Sequence, residues 1–396
     1  MEEADHRQLA KSLDLYHIEE SAPGMVFWHP RGYRVYRLLE DLIRRRMRRL
    51  GYQEVRTPQL LPRSLWEASG HWEKFGEQMF VVPREEGRDL ALKPMSCPCH
   101  VQIFNDDVRS WRDLPMRYAE FGQCHRDESS GSMHGLMRTR AFEQDDAHVL
   151  CEEDQVAGEV ARFAELLRGV YGDLGFDEIE VAISLRPERR AGSDADWDRA
   201  EAQLLEAAQA AGLSPAKLPG EGAFYGPKLE FALRDRQGRS WQCGTVQLDM
   251  VLPGRLGARY VDRSGERRVP VMIHHAVLGS MGRFIGILLE ESEGRLPFWL
   301  APDQVAVIPI SEDQRDAAVA FRDSLLAADL RPELMDQNET FSRRLVMARE
   351  RKIPVVAIFG AREVAAGQVA IKEGGKQVVL GVSEAVEKLS ARQPPK

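Results

Sequence analysis

From Arg138 to His148 one parity is occupied by Arg138, Arg140, Phe142, Gln144, Asp146 and His148. Alternate residues of a strand share a face. The pattern therefore calls for an extended segment that carries two guanidiniums, an aromatic ring, an amide, a carboxylate and an imidazole on one side of a sheet. A half-buried strand ordinarily shows apolar residues on one parity, and here the even parity is almost entirely polar. A solvent-facing strand of an antiparallel sheet is one reading; the floor of a polar site is the other. A second stretch repeats the pattern. In Trp241–Met250 the odd positions carry Cys243, Thr245, Gln247 and Asp249, and Gly244 offers room for a ligand to approach the backbone. The preceding turn, Phe224–Lys228, presents a phenol and an ammonium. Upstream, Cys124-His125-Arg126-Asp127-Glu128 leads into the loop Ser129–Met133, and Arg126 offers a rigid fork to a phosphate or carboxylate.

Around these stretches the hydrophobic period changes along the chain. Tyr33, Tyr36, Leu38, Leu39, Leu42, Ile43 and Met47 form the apolar stripe of a helix over 33–50. It ends in Arg44, Arg45, Arg46, Arg48 and Arg49, read as a solvated helix end or as an RNA contact. Residues 52–62 read as extended, 155–175 and 197–211 as helices, and 229–233 and 240–252 as strands. Pro297 and Pro302 bracket a break. Beyond it, strands at 305–310, 332–335, 355–359, 368–371 and 378–380 alternate with helices at 314–328, 341–351 and 383–389. The expectation is an α+β domain over 1–298, with long antiparallel strands and flanking helices. A small α/β domain with a mixed sheet follows over 299–396.

Composition narrows the function classes. With 43% hydrophobic residues the chain can fill a large core. Its apolar runs fall short of the roughly 20 residues a membrane helix needs. The acidic start, Met1-Glu2-Glu3-Ala4-Asp5-His6, has no apolar leader, and the five cysteines suit a reduced, cytosolic protein. The charge balance of 54 Lys and Arg against 62 Asp and Glu, a net −8, argues against a blanket basic coat for nucleic acid. Local basic patches remain open, such as Arg343, Arg344, Arg349, Arg351 and Lys352. Cys97-Pro98-Cys99-His100 is too tightly spaced to supply a whole tetrahedral zinc site. One built from distant residues, three ligands with an open fourth position, is the alternative, and spacing alone does not select the ligands.

The longest of these strings carry a specific resemblance. APGMVFWHP (22–30), LKPMSCPCH (92–100), CHRDESSGSMHGLMRTRAFEQDDAH (124–148), GEGAFYGPK (220–228), QCGTVQLD (242–249) and VPVMIHHAVLGSMGRF (269–284) resemble the catalytic domain of the threonyl-tRNA synthetases, class II aminoacyl-tRNA synthetases. The likeness runs from about Asp5 to Lys388 and takes in the anticodon-binding domain. It implies that Arg126 holds the ATP α-phosphate and the amino-acid carboxylate. Glu128 and Arg138 meet the adenine and the outer phosphates, and Phe142 stacks on adenine with Arg283 opposite. Gln242 and Lys228 face ATP and its phosphates. It implies zinc, one per chain, on Cys97, His148 and His274, and Mg²⁺ with ATP. Gln144, Asp146, Tyr225 and Gln247 match the threonine pocket, and His71 matches the histidine linked to transfer onto tRNA. Asn338, Lys352, Glu363 and Lys372 match anticodon-reading positions.

The implied activity is ATP-dependent formation of threonyl-adenylate and transfer to tRNA(Thr), by a cytoplasmic homodimer with its first motif, around Tyr52–Pro62, at the interface. Zinc would select rather than hydrolyse, because an apolar pocket separates threonine poorly from its isostere valine. Larger members of the family carry two N-terminal domains, one of which edits mischarged serine. This chain begins at the catalytic domain, so the expectation is no editing domain and some seryl-tRNA. Several positions depart from the family pattern. Ser96 replaces an asparagine, Cys99 and Ala141 replace glycines, and His275 and Gly282 replace an arginine and a glutamate. Lys352 and Lys372 stand where arginine is frequent, which removes a bidentate fork. Two other activities fit the resemblance less well. One is a paralogue that loads threonine or a related β-hydroxy amino acid on a non-tRNA acceptor, against which the anticodon-like domain argues. The other is a non-catalytic RNA-binding regulator, against which the intact Arg126, Arg138, Arg283, Cys97, His148 and His274 argue.

Overall fold

The computed structural model describes residues 5–84, 88–234, 238–336, 338–392 and 394–395. The acidic start Met1–Ala4 lies outside them. The chain divides into two compact units. One comprises Met1–His17, Phe27–Leu42 and Leu288–Lys396; the other comprises Ile18–Val26 and Ile43–Ile287. The elements used below are α1 (Pro30–Arg49), α2 (Cys97–Asn105), β1 (Met116–His125), β2 (Ala141–Cys151), α3 (Val156–Asp173), β3 (Lys228–Arg234), β4 (Ser240–Asp249), β5 (Val271–Ser280) and α4 (Met281–Ser292).

The alternating segments build one eight-stranded sheet in the larger unit. Its order is Ala216–Leu218, Glu180–Ser184, β3, β4, β5, β2, β1, Gln53–Glu54. The five long central strands are mutually antiparallel, and the outermost pair at each edge is parallel. Antiparallel sheets can keep one face polar and bury the other, and this one does. Register lines up Lys228 of β3, Gln247 of β4, His274 of β5 and His148 of β2 in one row across the polar face. The other face takes helix α3, whose Val160, Phe163, Leu167 and Tyr171 are buried. A Cβ on Gly244 would collide with Leu167 and sit against Tyr171. The missing side chain therefore admits the helix, not a ligand, and the sequence reading of that glycine is corrected.

Two details of the period also change. Strand β2 begins at Ala141, so Arg138 and Arg140 precede it, Arg138 closing a turn as the bridge partner of His134. In β4 a register shift opposite Phe231 and Ala232 skips Cys243. That bulge moves Gln242 onto the face of Thr245 and Gln247, which a strict two-residue period assigned to odd positions.

In the smaller unit the sheet order is Pro332–Leu334, β6 (Val305–Pro309), β7 (Val355–Phe359), β8 (Gln368–Glu373), β9 (Lys376–Gly381). The first three strands are parallel and the last two run antiparallel, a mixed sheet as expected. Val305, Val307, Phe321, Leu325, Val355 and Phe359 form its core on one side, and Ala306, Ile308, Met335 and Ala348 on the other. The basic run near its second helix is largely consumed within the unit. Arg344 is buried and donates to the carbonyls of Met335 and Ile310, Arg351 pairs with Glu333 at 2.7 Å, and Arg343 with Glu350 at 3.2 Å. The run at the end of α1 is likewise half paired. Arg44 meets Glu54 and Arg46 meets Asp173, while Arg48 and Arg49 are exposed. Among the described residues no helix is long and apolar enough to cross a membrane.

Candidate active site and metal centre

The row of paired strands delivers two imidazoles to one point. His148 and His274 are direct cross-strand partners, and their rings meet edge-on with Nε2 of His148 3.0 Å from Nδ1 of His274. The start of α2 brings Cys97 to the same place. The ligand atoms of Cys97, His148 and His274 lie within 4.8 Å of one another, and all three residues are buried. Alternation sends the neighbouring His275 to the opposite face, where its Nε2 meets the Tyr52 hydroxyl at 2.6 Å and its ring lies 4.8 Å from Phe163. The choice between the two adjacent histidines is thus made by the pleat.

The hydrogen bonds behind the two imidazoles determine their tautomers. His274 Nε2 lies 2.9 Å from the Asp249 carboxylate, an obligate acceptor, so Nε2 carries the proton and Nδ1 presents a lone pair. His100 Nε2 lies 3.2 Å from Glu120, which makes that nitrogen a donor and leaves His100 Nδ1 to accept. His148 Nδ1 supplies the proton across 2.8 Å, so His148 Nε2 is bare as well. Two lone pairs and a thiol converge on one buried spot, each imidazole backed by a route to a carboxylate, as is usual for metal-bound histidines. Burial pushes the Cys97 thiol well up and the His148 imidazole well down. A site that keeps His148 neutral and needs a cation to form its thiolate fits a divalent metal such as zinc.

Glu120 anchors the longer route. Burial raises its pKa, but the His100 ring, the Thr57 N–H and the Lys93 ammonium outweigh that and hold it at about 2. Lys93 is itself 1% exposed, with its Nζ 3.2 Å from both Glu120 oxygens and 2.8 Å from the Thr57 hydroxyl. The sequence reading left His100, Glu120 and Lys93 unassigned. The tight Cys-Pro-Cys-His string was the one signal, and only one of its two cysteines and none of its histidine enters the ligand set.

The cluster opens on a cavity of about 310 Å³. At its metal end stand His274, Asp146, Gln144 and Gln247. Tyr225 stacks on His274 at 4.7 Å between ring centres, and its hydroxyl donates to the Gln247 amide oxygen. Arg126, Glu128, Arg138, Phe142, Gln242 and Arg283 line the rest of it, and Lys228 stands beside Gln247 in the row. Arg126 is aimed by hydrogen bonds of 3.2 and 3.3 Å to the Pro94 carbonyl and lies 5.2 Å from the centres of both Phe75 and Phe142. Arg283 donates to the carbonyls of Met137 at 2.9 Å and Gln242 at 3.0 Å, and burial lowers its pKa. Lys228 is paired with Glu230 at 2.8 Å. Three arginines, a lysine and the Phe142 ring therefore line the same cavity as the carboxylate and amides beside the ligand cluster.

Not every expected residue joins this cavity. Arg140 turns away to brace the preceding loop, donating to the Glu128 carbonyl at 2.8 Å and pairing with Asp127 at 3.3 Å. Its place ahead of β2 frees it from the strand's period. His71 starts a short helix beneath the cluster. It is fully buried, with Nε2 3.4 Å from Cys97 Sγ and Nδ1 2.8 Å from the Ser69 hydroxyl, and burial lowers its pKa to about 3. In the smaller unit Asn338 lies in an exposed bend and Glu363 in the short helix Ala361–Ala365. Lys372 lies on β8, and Lys352 in a left-handed turn at φ +55°.

This architecture, an antiparallel sheet whose polar face carries a cationic cavity, has clear relatives. Residues 80–292 match the tRNA synthetase class II core domain family (G, H, P, S and T), and residues 304–392 match the anticodon binding domain family. The chain belongs to the class II tRNA synthetases of that group, and within it to the threonyl-tRNA synthetases. It is 54% identical over 396 residues to a threonine–tRNA ligase of Caulobacter vibrioides, covering 100% of this chain and 60% of that protein. A Rhodospirillum rubrum threonine–tRNA ligase is 53% identical over 391 residues, 98% of this chain and 61% of that one. The chain thus spans about 60% of the length of these curated relatives. Among solved structures, the RNA binding domain of threonyl-tRNA synthetase from Cryptosporidium parvum superposes with a TM-score of 0.95 at 36% identity, over 99% of both chains. A putative threonyl-tRNA synthetase from Aeropyrum pernix gives 0.83 at 29%, over 99% of this chain and 98% of that one.

Proposed function

We propose that this protein is a threonine–tRNA ligase. It joins L-threonine to ATP as threonyl-adenylate and passes the threonyl group to the 3′ end of tRNA(Thr). The observation that carries the reading is the junction of two environments in one cavity: a buried Cys-His-His cluster at one end and a wall of arginines with an aromatic face at the other.

Adenylation needs alignment and charge neutralisation more than acid–base chemistry. The amino-acid carboxylate attacks the α-phosphorus of ATP in line, and pyrophosphate leaves. Arg126, aimed by the Pro94 carbonyl, is assigned to the α-phosphate and the threonine carboxylate. Arg138 and Lys228 take the outer phosphates of the Mg²⁺–ATP complex, Glu128 and Gln242 face the nucleotide, and adenine lies between Phe142 and Arg283. Gln144, Asp146, Gln247 and Tyr225 hold the amino acid at the other end. Zinc on Cys97, His148 and His274 would supply a centre for threonine's amino and hydroxyl groups, a pair of donors that valine lacks. His71, kept neutral by burial, is placed with the step of transfer to tRNA. The second unit is assigned to the anticodon, with Asn338, Lys352, Glu363 and Lys372 as reading positions. Neither unit is assigned to editing. The boundary between the two functions is placed at 298/299. We further place the protein in the cytoplasm as a homodimer that meets through Tyr52–Pro62.

ATP–pyrophosphate exchange with each of the twenty amino acids tests the reading. Exchange dependent on threonine, followed by charging of tRNA(Thr), is the expected result. Absence of exchange would indicate a regulatory protein, and exchange without charging would indicate a different acceptor.

A further inference from the structure

The turn that carries Arg283 is built by a residue outside the cavity. Strand β5 pairs with β2 regularly up to Ala276, opposite Asp146, and resumes at Ser280, opposite Gln144. Residues 277–279 are looped out of the ladder, so three consecutive backbone N–H groups lose their strand partners. Buried N–H groups without partners are costly. One side chain receives all three. The Asp145 carboxylate, 3% exposed, accepts from Val277 at 2.8 Å, Leu278 at 3.0 and 3.1 Å, and Gly279 at 2.8 Å. Tyr171 of α3 donates to the Val277 carbonyl of the same segment at 2.8 Å. Asp145 lies between Gln144 and Asp146 and faces away from them, so β2 carries cavity contacts on one face and this brace on the other. The braced segment leads directly into α4, whose third residue is Arg283. Gly279 and Ser280 line the cavity, and the Ser280 hydroxyl lies 3.4 Å from the Arg283 N–H.

We propose that Asp145 is a positioning residue for the nucleotide half of the reaction. Its carboxylate shapes the bulge at 277–279 and so sets where Arg283 stands, without touching either substrate. This rests on the assignment of Arg283 to the nucleotide. A carboxylate offers two acceptor oxygens to three donors; an amide offers one oxygen and turns a donor toward the rest. Asp145→Asn therefore loosens the bulge at nearly constant volume. Gln144 and Asp146 of the threonine end flank Asp145 on β2 but face the cavity, and Tyr225 and Gln247 stand on other elements.

The experiment is threonine-dependent ATP–pyrophosphate exchange on the full chain, with KM measured separately for ATP and threonine and zinc content checked for each variant. Asp145→Asn is expected to raise the ATP KM, or lower kcat/KM for ATP, at least tenfold, with the threonine KM within twofold and zinc unchanged. In the background of Arg283→Ala the same change is expected to add less than threefold, because both act through one group. Tyr171→Phe, a milder loosening of the same segment, is expected to move the ATP KM in the same direction by a few fold. Equal losses for both substrates, full additivity with Arg283→Ala, or a lowered melting temperature with unchanged ATP kinetics would overturn the proposal. If Asp145→Asn does not fold, Tyr171→Phe decides alone, and an unchanged ATP KM in it overturns the proposal. No exchange in the unaltered protein overturns the functional reading itself, a result distinct from all of these.

Discussion

Glu120→Gln isolates the electrostatics beneath the ligand cluster. Glu120 is 4% exposed and receives the Lys93 ammonium, the Thr57 N–H and hydroxyl, and the His100 ring. Its carboxyl is held at about 2 against an ordinary 4.5. A carboxyl with a depressed folded-state pKa contributes stability that is complete above the unfolded value and is lost as pH falls toward the folded value. At 1.36 kcal/mol per unit, a shift of about 2.5 units corresponds to about 3 kcal/mol at pH 6, falling to about 1 kcal/mol at pH 3. That agrees with the ~3–5 kcal/mol expected for leaving a buried ion without its partner, here Lys93. Urea unfolding of the unaltered protein and Glu120→Gln, measured from pH 6 to pH 3, reads the difference directly. The gap is expected to narrow by about 2 kcal/mol over that range. A gap that stays constant with pH would show that Glu120 is not ionised in the folded state and would refute the tautomer assignment that runs through His100 to His148. Lys93→Met together with Glu120→Gln should be less destabilised than Lys93→Met alone, because no unpaired charge is left buried.

Three further outcomes follow from the same geometry. Cys97→Ser, His148→Ala and His274→Ala are each expected to lower bound zinc well below one per chain; full stoichiometry by metal analysis would refute the ligand set. Arg126→Ala is expected to reduce exchange by at least a hundredfold, about 3 kcal/mol, with zinc retained, as for a group that meets developing charge on phosphate; a change in threonine KM alone would contradict that role. Serine, which lacks one methyl, is expected to be activated within about 10–200-fold of threonine, whereas valine, which lacks the hydroxyl, falls much further behind. Exchange rates in which valine outperforms serine would refute selection through the hydroxyl.

What the sequence determined by itself was whatever depends on near neighbours. The helix stripes, the strands of the smaller unit, and the common face of Gln144, Asp146 and His148 follow from periods of 3.6 and 2, which are local properties of the backbone, and the mixed sheet was expected from the order in which strands and helices alternate. The long motif strings added the family. Tertiary structure decided what depends on register and on distant partners. The row Lys228, Gln247, His274 and His148 exists because four strands separated in sequence pair at one level. The bulge at Cys243 moved Gln242 onto the site, and the loss of ladder pairing at 277–279 gave Asp145 its work. Arg140 and Arg344 looked available because their partners are backbone carbonyls, which leave no mark in the sequence. His274 was separated from His275 by which face of β5 meets α3. The metal centre assembles from Cys97, His148 and His274. His148 and His274 meet because a sheet brings strands distant in sequence to within about 5 Å of one another, and Cys97 joins them from the start of helix α2.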